Sequence, residues 1–552
     1  MHCYFCNKDA FKCVNGKAVC HECFIRASFL ETSIISYFEW EELLFGQQEK
    51  YDNKLDYYIA RVYLPMNKSV NDKETALRLI SKLENEIIRN LSFYSKNAIY
   101  ISLLTLKELI QRALLMTKFT DKWAILQDAE TYIELVKLFK KIDDNKYMNH
   151  SMGEIDHGDS RWKTSIIFAR RINIIRTNLD ISHEDYYKVE ENVIESRLTS
   201  ESEKYFDEYL NIAIDEKPED YRIQNDALKK SVERRKKTPT DIIWSIDKDI
   251  KKQLGFSISD LRVMAETLMS IEFAKGDYFR EWLKGDFMFE ITPLQIIPYN
   301  EFEDIMCEKG VDKEAISKII SFFSINSIDN ESSNETISMN MSCKVDNELC
   351  FGVINFTQCV STFEKCILAN HYLNVFKIEK NRNIIKSQKK LSQYFSACIV
   401  DVLILNGYSL PTQIENGKET PRYEINKMVV NGINILKSCG DIDVLSYDRS
   451  SNTLIIFEAK FYEPLVNNKN MESKDRNRIN SDEVIRKMKK REEIVIKYQL
   501  DFMQLFGISN IKDSHVKSYL ISSRVNYYGI NSMSDNYLTW RMFKEKAEAH
   551  SL

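Results

Sequence analysis

Four charged side chains, Asp441, Asp443, Glu458 and Lys460, stand in the stretch CGDIDVLSYDRSSNTLIIFEAKFYEPL, residues 439–465, where strands usually carry apolar groups. Side chains alternate across a strand, so Asp441 shares a face with Asp443, and Glu458 shares one with Lys460. The polar SYDRSSN between them is turn-forming, and a hairpin brings the two charged edges together. LIIF, just before Glu458, is apolar on both faces, as in a strand covered on both sides. Charges at the end of such a strand are costly unless they are paired or bind a cation. Facing carboxylates call for a counter-charge, which a hard divalent cation such as Mg²⁺ (or Mn²⁺) provides through oxygen ligands. Lys460 is placed to contact a metal-bound water or a phosphate. These parts suit phosphodiester hydrolysis, with metal-activated water and an ammonium group stabilising the developing charge.

A second set of reactive groups opens the chain. Cys3 and Cys6 form one C-x-x-C pair and Cys20 and Cys23 another, each able to wrap one side of a tetrahedral zinc ion. VNGKAVC reads as a hairpin turning at Asn15-Gly16, and CHECFIRASFL as a helix start carrying the second pair. Four thiolates leave no open coordination position, so this zinc is structural. Cys13, His2 and His21 are spare.

At GDIDVL and IIFEAK the sequence resembles the PD-(D/E)XK nuclease superfamily, the fold of many restriction endonucleases and Holliday-junction resolvases. The resemblance covers roughly residues 350–545. It implies that Asp443 and Glu458 ligate Mg²⁺, that the Ala459 carbonyl is a third protein ligand, and that Lys460 orients or deprotonates the attacking water. Asp441 stands where relatives often have Glu or Gly and is an additional Mg²⁺ candidate. The resemblance also implies an αβββαβ core. It departs from this sequence in one place: many members carry a Glu in the helix before the first strand, and here Ser396 stands in that position, with Glu364 a substitute from the preceding helix. The front of the chain resembles a treble-clef zinc knuckle, similar to the small zinc domain of Clp-type unfoldases.

The surrounding elements follow from periodicity. Apolar residues recur at three and four in ETALRLISKLENEIIRNLSFYSKNAIYISLLTLKELIQRALLM and in DKWAILQDAETYIELVKLFKKI, predicting helices. SISDLRVMAETLMSIEFA predicts another, capped by Ser257 or Ser259. The predicted organisation is a zinc knuckle over 1–28, an all-α region over 29–324, a Ser/Asn-rich linker over 325–345, and a nuclease-like α/β domain with a mixed sheet over 346–552. Within the last, RYEINKMVV, DIDVLSY and NTLIIFEAKF read as strands, EVIRKMKKREEIVIKYQLDFMQLFG as a helix and HVKSYLISSRV as a strand.

Two polar stretches interrupt the helical region. YMNHSMGEIDHGDSRW gathers His150, Glu154, Asp156, His157 and Asp159, but no regular spacing holds them on one face, and a solvated loop is the better reading. KKSVERRKKTPTD reads as a solvated charge run rather than a phosphate site.

A net charge of −5 provides no global basic field, so a nucleic-acid partner must meet local patches. Lys377, Lys380, Arg382, Lys386, Lys389 and Lys390 form one candidate; a second runs from Arg476 and Arg478 through Arg486, Lys487, Lys489, Lys490 and Arg491. Gln499 could face the site or pack as a polar side chain. No apolar run reaches the ~18 residues that span a bilayer, and MHCYFCNKDAF is not a secretory signal. Twelve Cys in so long a chain are not a disulfide framework, and the predicted location is the cytoplasm.

The sequence thus predicts a Mg²⁺-dependent endonuclease acting on DNA, of the kind found among prokaryotic restriction or anti-phage defence effectors. Protein contacts would run through the knuckle or the helical region. The alternatives are a non-catalytic nucleic-acid-binding or adaptor protein and an RNA-cleaving enzyme on the same fold.

Overall fold

The computed structural model describes residues 2, 9–10, 12–14, 17–19, 73–115, 122–147, 154–180, 187–189, 196–198, 239–270, 293–368, 372–415, 418–422, 424–462, 471–481, 483–509, 514–533 and 535–552. The zinc ligands Cys3, Cys6, Cys20 and Cys23 and the basic run at 229–238 lie outside them. Strands β1 (Lys12–Val14) and β2 (Lys17–Val19) pair antiparallel, the hairpin that VNGKAVC predicts.

The first long helical run divides into α1 (Lys73–Leu91) and α2 (Lys96–Leu115), followed by α3 (Lys122–Lys140) and α4 (Ser160–Asp180). The division falls at a Ser-rich turn, where the Ser95 hydroxyl accepts from Ala98 N–H at 3.1 Å and starts α2. α1 buries a stripe through Leu79, Leu83 and Ile87, whereas α2 is buried on nearly every face and forms the centre of the layer. Before α4, Asp156 Oδ1 accepts from Gly158 N–H and Asp159 Oδ1 from Arg161 N–H, so these carboxylates shape the chain's entry into the helix.

A small hairpin, β3 (Tyr187–Val189) and β4 (Ser196–Leu198), precedes α5 (Pro239–Leu254) and α6 (Ile258–Ser270). Ser257 is the cap expected for α6: its hydroxyl accepts from Asp260 N–H at 2.9 Å, and Asp260 Oδ2 accepts from Ser257 N–H at 2.8 Å. Then come β5 (Gln295–Pro298), α7 (Tyr299–Glu308), α8 (Lys313–Phe322), α9 (Asn334–Ser338), β6 (Ser342–Val345) and β7 (Glu348–Phe351). The strands form an antiparallel sheet in the order β5-β7-β6.

Two sequence expectations are corrected here. Residues 29–324 are not all-helical, because they hold β3, β4 and β5. Residues 325–345 are not a linker: they contain α9 and β6, and Ile325, Ile337 and Cys343 are fully buried. The Ser and Asn residues that suggested a loop act as caps, with Ser333 Oγ accepting from Thr336 N–H at 3.2 Å and the Asn340 amide donating to Ile337 O at 2.8 Å.

α10 (Val353–Leu368) and α11 (Arg382–Leu405) follow. α11 stops at Asn406-Gly407, as its sequence predicts; Gly407 takes a φ of +77°, which a side chain would strain. Two small hairpins come next, β8 (Thr412–Glu415) with β9 (Lys418–Pro421) and β10 (Val429–Val430) with β11 (Ile433–Asn434). The remaining elements are β12 (Val444–Asp448), β13 (Thr453–Lys460), α12 (Met471–Ser481), α13 (Val484–Lys497), α14 (Gln499–Gln504), β14 (His515–Ser522), α15 (Tyr527–Ser532), β15 (Tyr537–Leu538) and α16 (Trp540–Glu548).

The mixed sheet has the order β12-β13-β14-β15, antiparallel between β12 and β13 and parallel thereafter. RYEINKMVV does not add a full strand. Only Ile425 pairs with Ile442, and Ser409 pairs with Tyr447, so the outer side of β12 is bridged at two points. One continuous core joins α5, α6, α10 and α11 to one face of this sheet, from Ile242 to Leu552, so no domain boundary falls at 325–345. A smaller core on the opposite face packs Leu445, Tyr447, Leu454 and Ile456 against Val495, Phe502 and Met503 of α13 and α14. Among the described residues, no helix is long and apolar enough to cross a membrane.

Candidate active site

The hairpin of β12 and β13 turns at Arg449–Asn452. Asp448 Oδ1 accepts from Ser450 N–H at 2.8 Å, and the Tyr447 hydroxyl donates to Asn452 Oδ1 at 2.9 Å. This turn fixes the register Val444↔Phe457, which leaves Asp443 just past the end of β12 and level with Glu458. On β13, Ile455, Phe457 and Ala459 face α11, while Leu454 and Ile456 face α13 and α14. Glu458 and Lys460 continue the second set.

Asp443 is held at this edge by one bond: its Oδ2 accepts from Ala459 N–H at 2.9 Å. Its Oδ1 accepts no hydrogen bond among the described residues. Glu458 is 4% exposed, and each of its oxygens meets a cation. Lys460 Nζ lies 3.0 Å from Oε1, and the Arg491 guanidinium of α13 bonds Oε2. Burial first, and then the charge of Glu458, push the Asp443 carboxyl from its usual 3.8 up to about 7; the Ala459 N–H, Lys460 and Arg491 act in the opposite direction.

Arg491 is the member that the sequence reading misplaced in an exposed basic cluster. It is 5% exposed, on the inward stripe Val484, Met488, Arg491, Val495. That i, i+4, i+7, i+11 spacing is visible in the sequence, and a charge on an apolar stripe signals a buried partner. Gly440, beside the guanidinium, takes a φ of +81°, which a side chain would strain.

No family model matches the chain, and comparison with curated proteins and with solved structures finds no match.

Not every expected residue joins it. Asp441 is exposed, and its Oδ2 accepts from the Asn426 amide at 3.1 Å, which also donates to Glu424. The reason is local: β12 begins at Val444, so the strict alternation that paired Asp441 with Asp443 does not extend back to it. Glu364 forms a two-bond pair with Arg262 between α10 and α6, at 2.7 and 2.5 Å, and is no substitute carboxylate. Ser396 is buried in α11, on the opposite side of the sheet from Glu458. Gln499 donates to Ser514, 2.8 Å to its hydroxyl, and ties α14 to the chain entering β14.

Among the described residues, no three His, Cys, Asp or Glu side chains gather closely enough to hold a metal ion. A cation at this edge would therefore have two carboxylates, and its other ligands would be main-chain carbonyl, water or substrate oxygens. The open Asp443 Oδ1 and the mutual repulsion of Asp443 and Glu458 fit such an ion.

The pair also sets a pH dependence. Asp443 keeps a proton in the fold that the unfolded chain releases between pH about 4 and about 7. Its contribution is therefore fully present below pH about 4 and is lost as pH rises to about 7. In EDTA, Asp443→Asn is expected to melt at the same temperature as the parent at pH 4 and several degrees higher at pH 8. Parallel melting curves across this range would show that Asp443 does not carry the strain.

Proposed function

We propose that the chain is a divalent-metal-dependent nuclease that hydrolyses phosphodiester bonds in DNA. The observation that carries this reading is the meeting of Asp443, Glu458 and Lys460 on one face of the sheet at the end of β13, with two carboxylates that raise each other's need for a cation.

Asp443 and Glu458 would hold the ion, with the Ala459 carbonyl as the third protein ligand implied by the PD-(D/E)XK resemblance. Bound Mg²⁺ or Mn²⁺ supplies Lewis-acid polarisation of the phosphate and a more acidic water. The chain does the positioning. The Ala459 N–H fixes the Asp443 carboxylate, and Arg491 anchors one oxygen of Glu458 so that the other stays at the mouth of the site. Lys460, with 28% of its side chain exposed, can leave Glu458 Oε1 to meet a phosphate oxygen or the attacking water. A structural zinc held by Cys3, Cys6, Cys20 and Cys23, and a role in restriction or anti-phage defence, belong to the same proposal and rest on resemblance.

One observation favours a binding-only reading: both Glu458 oxygens are already taken by cations, a self-sufficient arrangement. The decisive experiment incubates the full chain with circular, linear and single-stranded DNA, and with RNA, in Mg²⁺, Mn²⁺ or EDTA. Metal-dependent DNA cleavage that Asp443→Ala abolishes supports the nuclease. Binding without cleavage under every ion selects the adaptor, and cleavage confined to RNA moves the substrate class.

A further inference from the structure

α11 runs antiparallel to β13 across the sheet. Near its end, Ser409 pairs with Tyr447, beside the start of β13; Phe395, further back, stacks edge-on against Phe461 just past the end of β13, with centroids 6.3 Å apart. Residues of α11 before Phe395 therefore project beyond the edge where Glu458 and Lys460 end the strand. At a rise of about 1.5 Å per residue, Lys389 stands about 9 Å further out and Lys386 about 13 Å.

This overhang is braced by α5, which runs antiparallel to it. Lys390 Nζ donates to Ser245 Oγ at 3.2 Å, the Asn383 amide to Asp249 Oδ2 at 2.9 Å, and Gln253 bonds the backbone of Glu379 in both directions. Two acids of the ridge are engaged, Asp249 as above and Asp247 in capping Ile258 and Ser259 at the start of α6, while Glu379 is exposed at its outer end. Lys248, Lys252, Arg382, Lys386 and Lys389 are exposed and make no ion pair among the described residues. Between them, Trp244 is 64% exposed and Ile385 55%. An indole left in water among unpaired cations is a costly surface to keep without a partner.

We propose that the α5–α11 overhang is a single-stranded DNA track that leads to the catalytic edge, with Trp244 as the platform on which an unpaired base stacks. This deepens the nuclease reading by naming the form of DNA presented to the site. Cations at the surface meet phosphates without reading sequence, while an exposed aromatic ring selects a base that is free of its complement. A membrane surface or an acidic protein would use the cations but gives no reason for a lone indole among them.

The test uses the full chain in EDTA, where binding is separated from cleavage, with a labelled single-stranded oligonucleotide and its blunt duplex. Trp244→Ala is expected to weaken single-strand binding roughly tenfold or more and duplex binding far less, while Trp244→Phe retains most affinity. Replacing Lys248, Lys386 and Lys389 together by Ala should reduce the salt slope of single-strand binding by about 2. Circular dichroism and melting curves confirm that these surface variants stay folded. Single-strand affinity within about twofold of the parent in Trp244→Ala, or equal losses on both probes, overturns the track. Failure of the track leaves the Asp443→Ala and Lys460→Ala cleavage results untouched; failure of the nuclease reading leaves the EDTA binding result standing by itself.

Discussion

Lys460→Ala is expected to lower metal-dependent cleavage by about a thousandfold while leaving DNA binding within a few-fold of the parent. The magnitude is that of removing one group aimed at charge that develops in the transition state, about 10²–10³-fold, extended by the loss of a group that positions water. Stability should hardly change. Lys460 is partly exposed, and Glu458 retains its buried partner Arg491, so no uncompensated charge is left inside. The variant should also carry a pH signature. Lys460 helps hold the Asp443 proton affinity down, so its removal moves the acidic limb of the rate profile to higher pH. A merely structural lysine would lower stability and binding together and leave the profile in place. Cleavage within tenfold of the parent would remove Lys460 from the mechanism.

How far the sequence reached depends on whether a signal was local. The β12–β13 hairpin was legible because its turn, its alternation and its apolar runs all lie within 22 residues, from Asp441 to Tyr462, with little outside that could override them. The stop of α11 at Asn406-Gly407 and the Ser257 cap were legible for the same reason. Asp441 was misread because alternation was carried past the point where the strand starts. Arg491 was misread because its charge was counted and its phase on the helix was not. The supposed linker at 325–345 failed differently. Its polar residues were judged by composition, but caps and a two-residue hairpin use the same residue types as a loop, and the apolar minority, Ile325, Ile337 and Cys343, is what packs. That segment's burial was fixed by partners far along the chain, which a local reading does not reach.

The same long-range logic makes Glu108 the side chain whose loss should cost the most stability. It lies in the middle of α2, fully buried, beside Lys107 and one turn before Arg112. Its Oε1 accepts from Arg112 Nε at 2.5 Å and from Ile354 N–H at 3.3 Å, and its Oε2 from Asn355 N–H at 2.7 Å. One carboxylate thus neutralises a buried guanidinium and caps α10, favoured there by the positive end of the helix dipole. Gly352 makes room for it, since a Cβ at that position would overlap Oε2. Next to it, Lys107 Nζ donates to Ser338 O at 2.7 Å and to Asn340 O at 2.5 Å, so one turn of α2 fastens the helical layer to the segment that the sequence suggested was loose. Glu108→Ala takes the carboxylate away from the buried Arg112 guanidinium, which keeps Pro293 O, and leaves two helix N–H groups without their acceptor, a loss of about 3–5 kcal/mol for the pair and about 1 kcal/mol for the cap. The expected result is a lower melting temperature and faster amide exchange at Ile354 and Asn355, with Glu108→Gln milder because its amide oxygen still caps the helix. Gly352→Ala should mimic Glu108→Ala by expelling the carboxylate. Unchanged exchange at Ile354 and Asn355 in Glu108→Ala would show that the two layers are held by apolar packing alone.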